Sequence, residues 1–133
     1  MRFEGVQPFL EKENDTTYLI NFWATWCKPC VEELPFIEQI HSDDFDDPVQ
    51  VILISLDFRN QLESKLIPFI EEHQIKSKVV VLDDPDANAW IDKVDPRWSG
   101  ALPASIIYKG NKREFYPEGF TDYKSLRKII SSF

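Results

Sequence analysis

Trp26-Cys27-Lys28-Pro29-Cys30 contains both cysteines of the chain. The pair follows an apolar run, Tyr18-Leu19-Ile20-Asn21-Phe22-Trp23-Ala24, and precedes a segment with helical character, Val31 to Ile40. A Cys-x-x-Cys between a strand and a helix is the setting in which this spacing signals thiol–disulfide chemistry. A helix N-terminus presents free N–H groups and the positive end of the helix dipole, both of which favour a thiolate. The thiolate, not the thiol, attacks a disulfide. Two other readings compete. A zinc site usually takes four ligands, and here only His41 and His73 add strong nitrogen donors, at no ligand spacing. A permanent structural bridge usually closes a longer loop than this one.

Around this motif the elements are legible. Residues 8–13 read as a short opening helix with Pro8 in its first turn. Thr17 to Ala24 is a nearly continuous apolar run, as a buried central strand requires. The helix over residues 28–40 carries Pro35 in its interior, which predicts a kink. Val49 to Leu56 is a second buried strand, rich in β-branched residues. Joined to the first through a helix, it forms a right-handed βαβ unit with a parallel pair. Leu62, Leu66, Phe69, Ile70 and His73 follow helical spacing, interrupted by Pro68. Lys78 to Leu82 is a short third strand, and residues 86–94 read as a short helix. Residues 104–109 and 113–117 flank Gly110-Asn111-Lys112 as a β-hairpin. Tyr123, Leu126, Ile129, Ile130 and Phe133 form the apolar stripe of a closing helix capped by Thr121 or Asp122. The expected architecture is a single α/β domain over residues 1–133, with a central mixed β-sheet flanked by helices.

Composition limits the partners. Of the 133 residues, 43% are hydrophobic and 29% charged, ordinary values for a globular chain. The net charge of −8 argues against a nucleic-acid partner, since no basic cluster stands ready to neutralise phosphates. The acidic runs over residues 43–47 and 83–86 lack the glycine and terminal glutamate of a calcium loop and read as loops or caps. No stretch reaches the roughly 18 apolar residues of a membrane span, and Met1-Arg2-Phe3-Glu4-Gly5 does not read as a signal peptide. His41 and His73 read as cations at helix C-termini or surface residues. Trp98 is either a core anchor or part of a groove wall.

Asn21 to Cys30, with the following Glu33-Leu34-Pro35, resembles the TlpA/ResA-like thiol–disulfide oxidoreductases of the thioredoxin fold. The resemblance covers residues 17–133 in element order. It includes a strand–helix insertion over about residues 60–95. Gly100-Ala101-Leu102-Pro103-Ala104 is similar to the loop that carries that family's cis-proline. The resemblance implies that Cys27 is the exposed attacking cysteine and Cys30 the buried resolving one. It also implies that Trp26 shields the motif, that Pro103 is cis, and that Leu102 lends its backbone to an extended substrate. Glu33 matches an acidic residue found near the redox pair in some members. Thioredoxin itself has an aspartate where this chain has Asn21, so Glu33 becomes the candidate proton-handling group. The competing reading of Glu33 is a first-turn glutamate favoured by the helix dipole. Lys28 either lowers the Cys27 pKa by its charge or is simply exposed.

The implied function is reduction of disulfides in substrate proteins, with a thiol electron donor and neither a metal nor an organic cofactor. The implied setting is periplasmic or otherwise extracytoplasmic, with any membrane anchor outside these residues; a cytoplasmic setting is the alternative. The competing functions are a thioredoxin-fold peroxidase and a non-catalytic binding domain on the same fold.

Overall fold

The computed structural model describes residues 1–133. Five strands form one sheet: β1 (Thr17–Trp23), β2 (Val49–Ser55), β3 (Lys78–Val81), β4 (Ala104–Lys109) and β5 (Lys112–Tyr116). Their spatial order is β3-β2-β1-β4-β5. β2 lies parallel to β1 and to β3, whereas β4 lies antiparallel to β1 and to β5. The mixed sheet expected from the sequence is therefore present, and β1, buried along its whole length, occupies the centre. All seven residues of β1 are buried, which a strand covered on both faces requires.

The period-2 alternation of β1 divides the core into two layers. Tyr18, Ile20 and Phe22 pack with Phe3, Val6, Leu10, Trp90 and Trp98 on one face. Leu19 and Trp23 pack with Cys27, Cys30, Leu34, Ile37, Leu126 and Ile130 on the other. The second layer is built by α2 (Lys28–Glu38) and α5 (Tyr123–Ser131). Each fully buried aliphatic or aromatic side chain here contributes roughly 1.5–3 kcal/mol relative to exposure. Cys27 and Cys30 thus belong to a core layer rather than to a loop tip.

Several boundaries differ from the sequence expectation. The chain opens with α1 (Phe3–Val6), followed by a 3₁₀ turn over Gln7–Leu10, not with a helix over residues 8–13. Burial of Phe3, Val6 and Leu10 selects this earlier start. α2 runs through Pro35 to Glu38 and ends in a 3₁₀ turn, Gln39–Ser42. The segment around Pro68 is split. A π-turn covers Leu62–Leu66, and α3 (Ile67–Glu72) begins with Pro68 in its first turn, where the missing N–H has no helical partner to lose. α4 spans Ala87–Val94. The hairpin is tighter than expected: Lys109 pairs with Lys112, leaving the two-residue loop Gly110-Asn111. Gly110 has φ +57°, the left-handed conformation such a turn needs. β5 stops at Tyr116 because Pro117 has no N–H to donate. Asp122, rather than Thr121, caps α5 by accepting from the Ser125 N–H at 2.7 Å.

The acidic runs have structural roles. Asp43 accepts from the Tyr123 hydroxyl and from Arg127, each at 2.7 Å. Those bonds hold its pKa below the ordinary aspartate value. Asp84 accepts from the backbone N–H groups of Asp86 and Phe3. His41 sits in the turn after α2, with Nε2 2.7 Å from Ser77 Oγ, and His73 stacks on Phe69 at the end of α3.

Candidate redox site

Cys27 is the N-cap of α2. Its backbone is extended, with φ −95° and ψ 104°, and its Sγ accepts a hydrogen bond from the Cys30 N–H at 3.3 Å. The local sequence explains the geometry. Pro29 occupies the first turn of α2, pre-set in φ and with no donor to waste. The Cys27 N–H is used by the Ala24 carbonyl at 3.1 Å, which turns the chain from β1 into the helix. The two cysteines form a disulfide, with Cα atoms 5.3 Å apart.

Cys30 is fully buried. Cys27 is only 7% exposed, so in this oxidised state it is more covered than the resemblance implies. Being bonded to a buried sulfur draws its side chain inward. Trp26 is turned outward and 55% exposed, stacked on Phe58 with ring centroids 6.1 Å apart. Next to it opens a cleft of about 500 Å³ lined by Thr25, Trp26, Gln61, Lys65, Pro68 and Phe69 among others. Lys28 is exposed.

The Leu102–Pro103 peptide is cis, as the resemblance implies. Pro103 is buried and Leu102 packs against the layer that contains Cys27 and Cys30. Trp98 resolves to a core anchor: its ring packs on Phe22 and Trp90, and its indole N–H donates to the Ala101 carbonyl at 2.8 Å.

Glu33 lies on the inward face of α2 and is only 3% exposed. Its Oε1 accepts from the Asn21 side-chain amide at 2.8 Å, and its Oε2 accepts from the Phe120 N–H at 2.8 Å. Neither oxygen bonds a cysteine sulfur; the direct partners of Glu33 are Asn21 and Phe120. Burial raises its pKa above the ordinary glutamate value, and the Phe120 and Asn21 bonds oppose that rise. The Cys27–Cys30 disulfide carries no thiolate charge that could add to the rise. Burial alone supplies the upward push. A cleft of about 390 Å³ is lined by Pro29, Glu33, Phe36, Gly119 and Phe120 among others.

Asn21 is fully buried and uses both amide hydrogens, one on Glu33 and one on Ser105 Oγ at 2.9 Å. Its Oδ1 has no partner. An unsatisfied buried acceptor costs about 1–3 kcal/mol, so this arrangement favours holding the Glu33 carboxylate over full satisfaction of the amide.

Gly119 is the residue that lets the loop after β5 approach this group. A Cβ there would lie 3.0 Å from Glu33 Oε2 and 3.3 Å from Pro103 Cγ. The proline ring cannot yield, and the carboxylate is held by two donors. Gly119→Ala is expected to destabilise the fold by about 1–2 kcal/mol, read as a lower urea midpoint. In a Glu33→Ala background the same substitution should cost less than half as much, because one of its two clashes is gone. Equal costs in both backgrounds would show that the loop yields elsewhere.

Residues 7–112 match the AhpC/TSA family. The chain belongs to that family. Among its relatives is the thiol-disulfide oxidoreductase ResA of Oceanobacillus iheyensis, 33% identical over 57 residues, which are 43% of this chain and 28% of that protein. The chain spans less than half the length of the ResA relatives it matches. Solved structures with the same fold include a thioredoxin-related protein from Neisseria meningitidis serogroup B. That match has a TM-score of 0.72 at 20% identity and covers 92% of this chain and 86% of that one. Another is a secreted thiol-disulfide isomerase from Corynebacterium glutamicum, with a TM-score of 0.71 at 16% identity, covering 90% and 71%. This member of the AhpC/TSA family therefore has the thioredoxin fold, and Cys27 and Cys30 lie where a central strand of that fold turns into a helix.

Thr25, Ser55, Asp57, Phe58, Ser105, Gly119 and Phe120 surround the site without having been singled out from the sequence. Thr25 and Asp57 stand just after the apolar runs of β1 and β2, whereas Ser55 and Ser105 lie inside strands.

Proposed function

We propose that the chain is a thiol–disulfide oxidoreductase that reduces disulfides in substrate proteins. The observation that carries this reading is the Cys27–Cys30 disulfide at the first turn of α2, with Cys27 as the helix N-cap. In the reduced protein the Cys27 thiolate attacks one sulfur of a substrate disulfide. The substrate bond breaks, its other sulfur leaves as a thiolate, and a Cys27–substrate mixed disulfide forms. Cys30 then loses its proton and attacks Cys27 Sγ, releasing the second substrate thiol and closing the Cys27–Cys30 bond. Two electrons pass from the protein to the substrate. A thiol donor restores the dithiol.

Trp26, Leu102 and Pro103 are the proposed substrate contacts. Glu33 is the proposed proton acceptor for Cys30. We place these 133 residues, as one domain, in an extracytoplasmic compartment; a fold neighbour from Corynebacterium glutamicum is described as secreted. No helix is long and apolar enough to cross a membrane.

Insulin reduction tests this reading. The protein is expected to accelerate the precipitation of insulin B chains by dithiothreitol severalfold at micromolar concentration. No acceleration by a folded, fully reduced sample would remove the reductase assignment. Rapid peroxide consumption in its place would favour the peroxidase.

A further inference from the structure

Asp57 follows β2 and is 3% exposed, yet it takes part in no ion pair. A buried carboxylate without a counter-ion is costly unless hydrogen bonds satisfy its oxygens. Here they do, and all of them come from two residues. Oδ1 accepts from the Thr25 N–H at 3.0 Å and from the Thr25 hydroxyl at 2.5 Å. Oδ2 accepts from the Ser55 hydroxyl at 2.6 Å, and the Thr25 N–H also approaches it at 3.3 Å. Ser55 Oγ in turn accepts from the Asp57 N–H at 3.0 Å, which locks the carboxylate to the end of its own strand. The next residue, Phe58, stacks on Trp26. Two consecutive residues after β2 thus grip the two consecutive residues that lead into Cys27, one pair by buried polar bonds and the other by an exposed aromatic stack.

We propose that Asp57 is a positioning residue for the redox pair: by tethering Thr25 it holds Cys27 where it closes on Cys30. The inference deepens the proposed thiol–disulfide reading and rests on it for its biological meaning. Cys30 is itself fully buried in the first turn of α2. Cys27 is reached through the Ala24–Trp26 turn, so its freedom in the reduced protein is set by what restrains that turn. Restraint raises the effective concentration of one sulfur at the other and stabilises the disulfide. Release of the tether makes the disulfide easier to reduce.

The measurement is the equilibrium with dithiothreitol redox buffers. The protein disulfide breaks, two electrons and two protons come from the dithiol, and the dithiol closes to its cyclic disulfide. Thr25→Val keeps the shape and leaves the Asp57 charge in place while removing the hydroxyl bond. It is expected to shift the equilibrium toward the reduced protein about tenfold, equivalent to a potential about 30 mV more oxidising. Thr25→Ser keeps the hydroxyl and should stay within about twofold of wild type. Asp57→Asn, a second route if Thr25→Val does not fold, should shift in the same direction as Thr25→Val. Wild-type equilibria in both Thr25→Val and Asp57→Asn would overturn the proposal, as would a Thr25→Ser shift equal to that of Thr25→Val. Insulin reduction by the wild type is scored separately. A shifted equilibrium with no insulin reduction keeps the tether and removes the reductase reading.

Discussion

Replacing Cys27 by serine is expected to abolish disulfide reduction, a loss of at least about a thousandfold in kcat/KM, because no other group supplies the nucleophile. Replacing Cys30 by serine should instead leave the first attack intact and block its resolution, so that substrate proteins accumulate as mixed disulfides on Cys27. The asymmetry follows from geometry. Cys27 is the helix N-cap, and its sulfur accepts from the Cys30 N–H at 3.3 Å. That donor and the helix dipole stabilise negative charge on Cys27 Sγ and should hold its pKa below the free value of ~8.5. Cys30 lies inside the turn, fully buried, where a thiolate is disfavoured. Non-reducing gels of each variant after exposure to a disulfide-bonded protein, with ultraviolet thiolate titration of Cys30→Ser, separate the roles. Adducts that require Cys30 and survive Cys27→Ser would reverse the assignment.

The same geometry shows what a sequence can reveal and what it leaves out. β1 and β2 were legible because both are apolar runs buried on two faces, and a run of that kind has few alternatives at its length. The position of the Cys pair followed from the boundary between that run and the helical spacing after it. The hairpin was legible to within one residue, since Gly110 identifies the turn but the exact pairing is set across strands. Pro8, a local helix-start signal, points to an opening helix over residues 8–13, whereas the true start answers to burial of Phe3, Val6 and Leu10 against a distant part of the chain. The partners of Glu33 could not be inferred. Asn21 and Phe120 lie 12 and 87 residues away in sequence, and only the folded sheet brings them to one carboxylate. Thr25 and Asp57, 32 residues apart, meet for the same reason, through the parallel register that sets Trp23 opposite Ser55. Motif spacing reports chemistry held on one element; it is silent on groups assembled between elements.

Glu33→Gln is the substitution in which stability and catalysis should move in separable ways. The folded-state pKa of Glu33 is raised, chiefly by burial. The sign is then fixed: the folded state holds this proton more tightly than the unfolded chain does. Its contribution to stability is fully present below the unfolded glutamate pKa and is lost as pH rises through the folded one. Stability of wild type relative to Glu33→Gln should therefore fall as pH rises from the unfolded glutamate pKa through the raised folded one, measured as the difference between their urea midpoints. The glutamine cannot accept from both Asn21 and the Phe120 N–H without presenting its own amide to one of them. That constant penalty shifts the whole difference curve without changing its slope. Catalysis reports the other side of the same carboxyl. If it takes the proton from Cys30 as the mixed disulfide resolves, Glu33→Gln should slow turnover by about tenfold to a hundredfold, and the pH–rate limb set by this group should disappear. Asn21 provides a check on the route. Asn21→Leu removes one donor to the carboxylate, so the Glu33 pKa should rise further and the limb should move to higher pH. Superimposable pH–rate profiles for wild type and Glu33→Gln, alongside the expected stability slope, would leave Glu33 as a buried structural acid and assign the proton transfer to solvent entering beside Phe120.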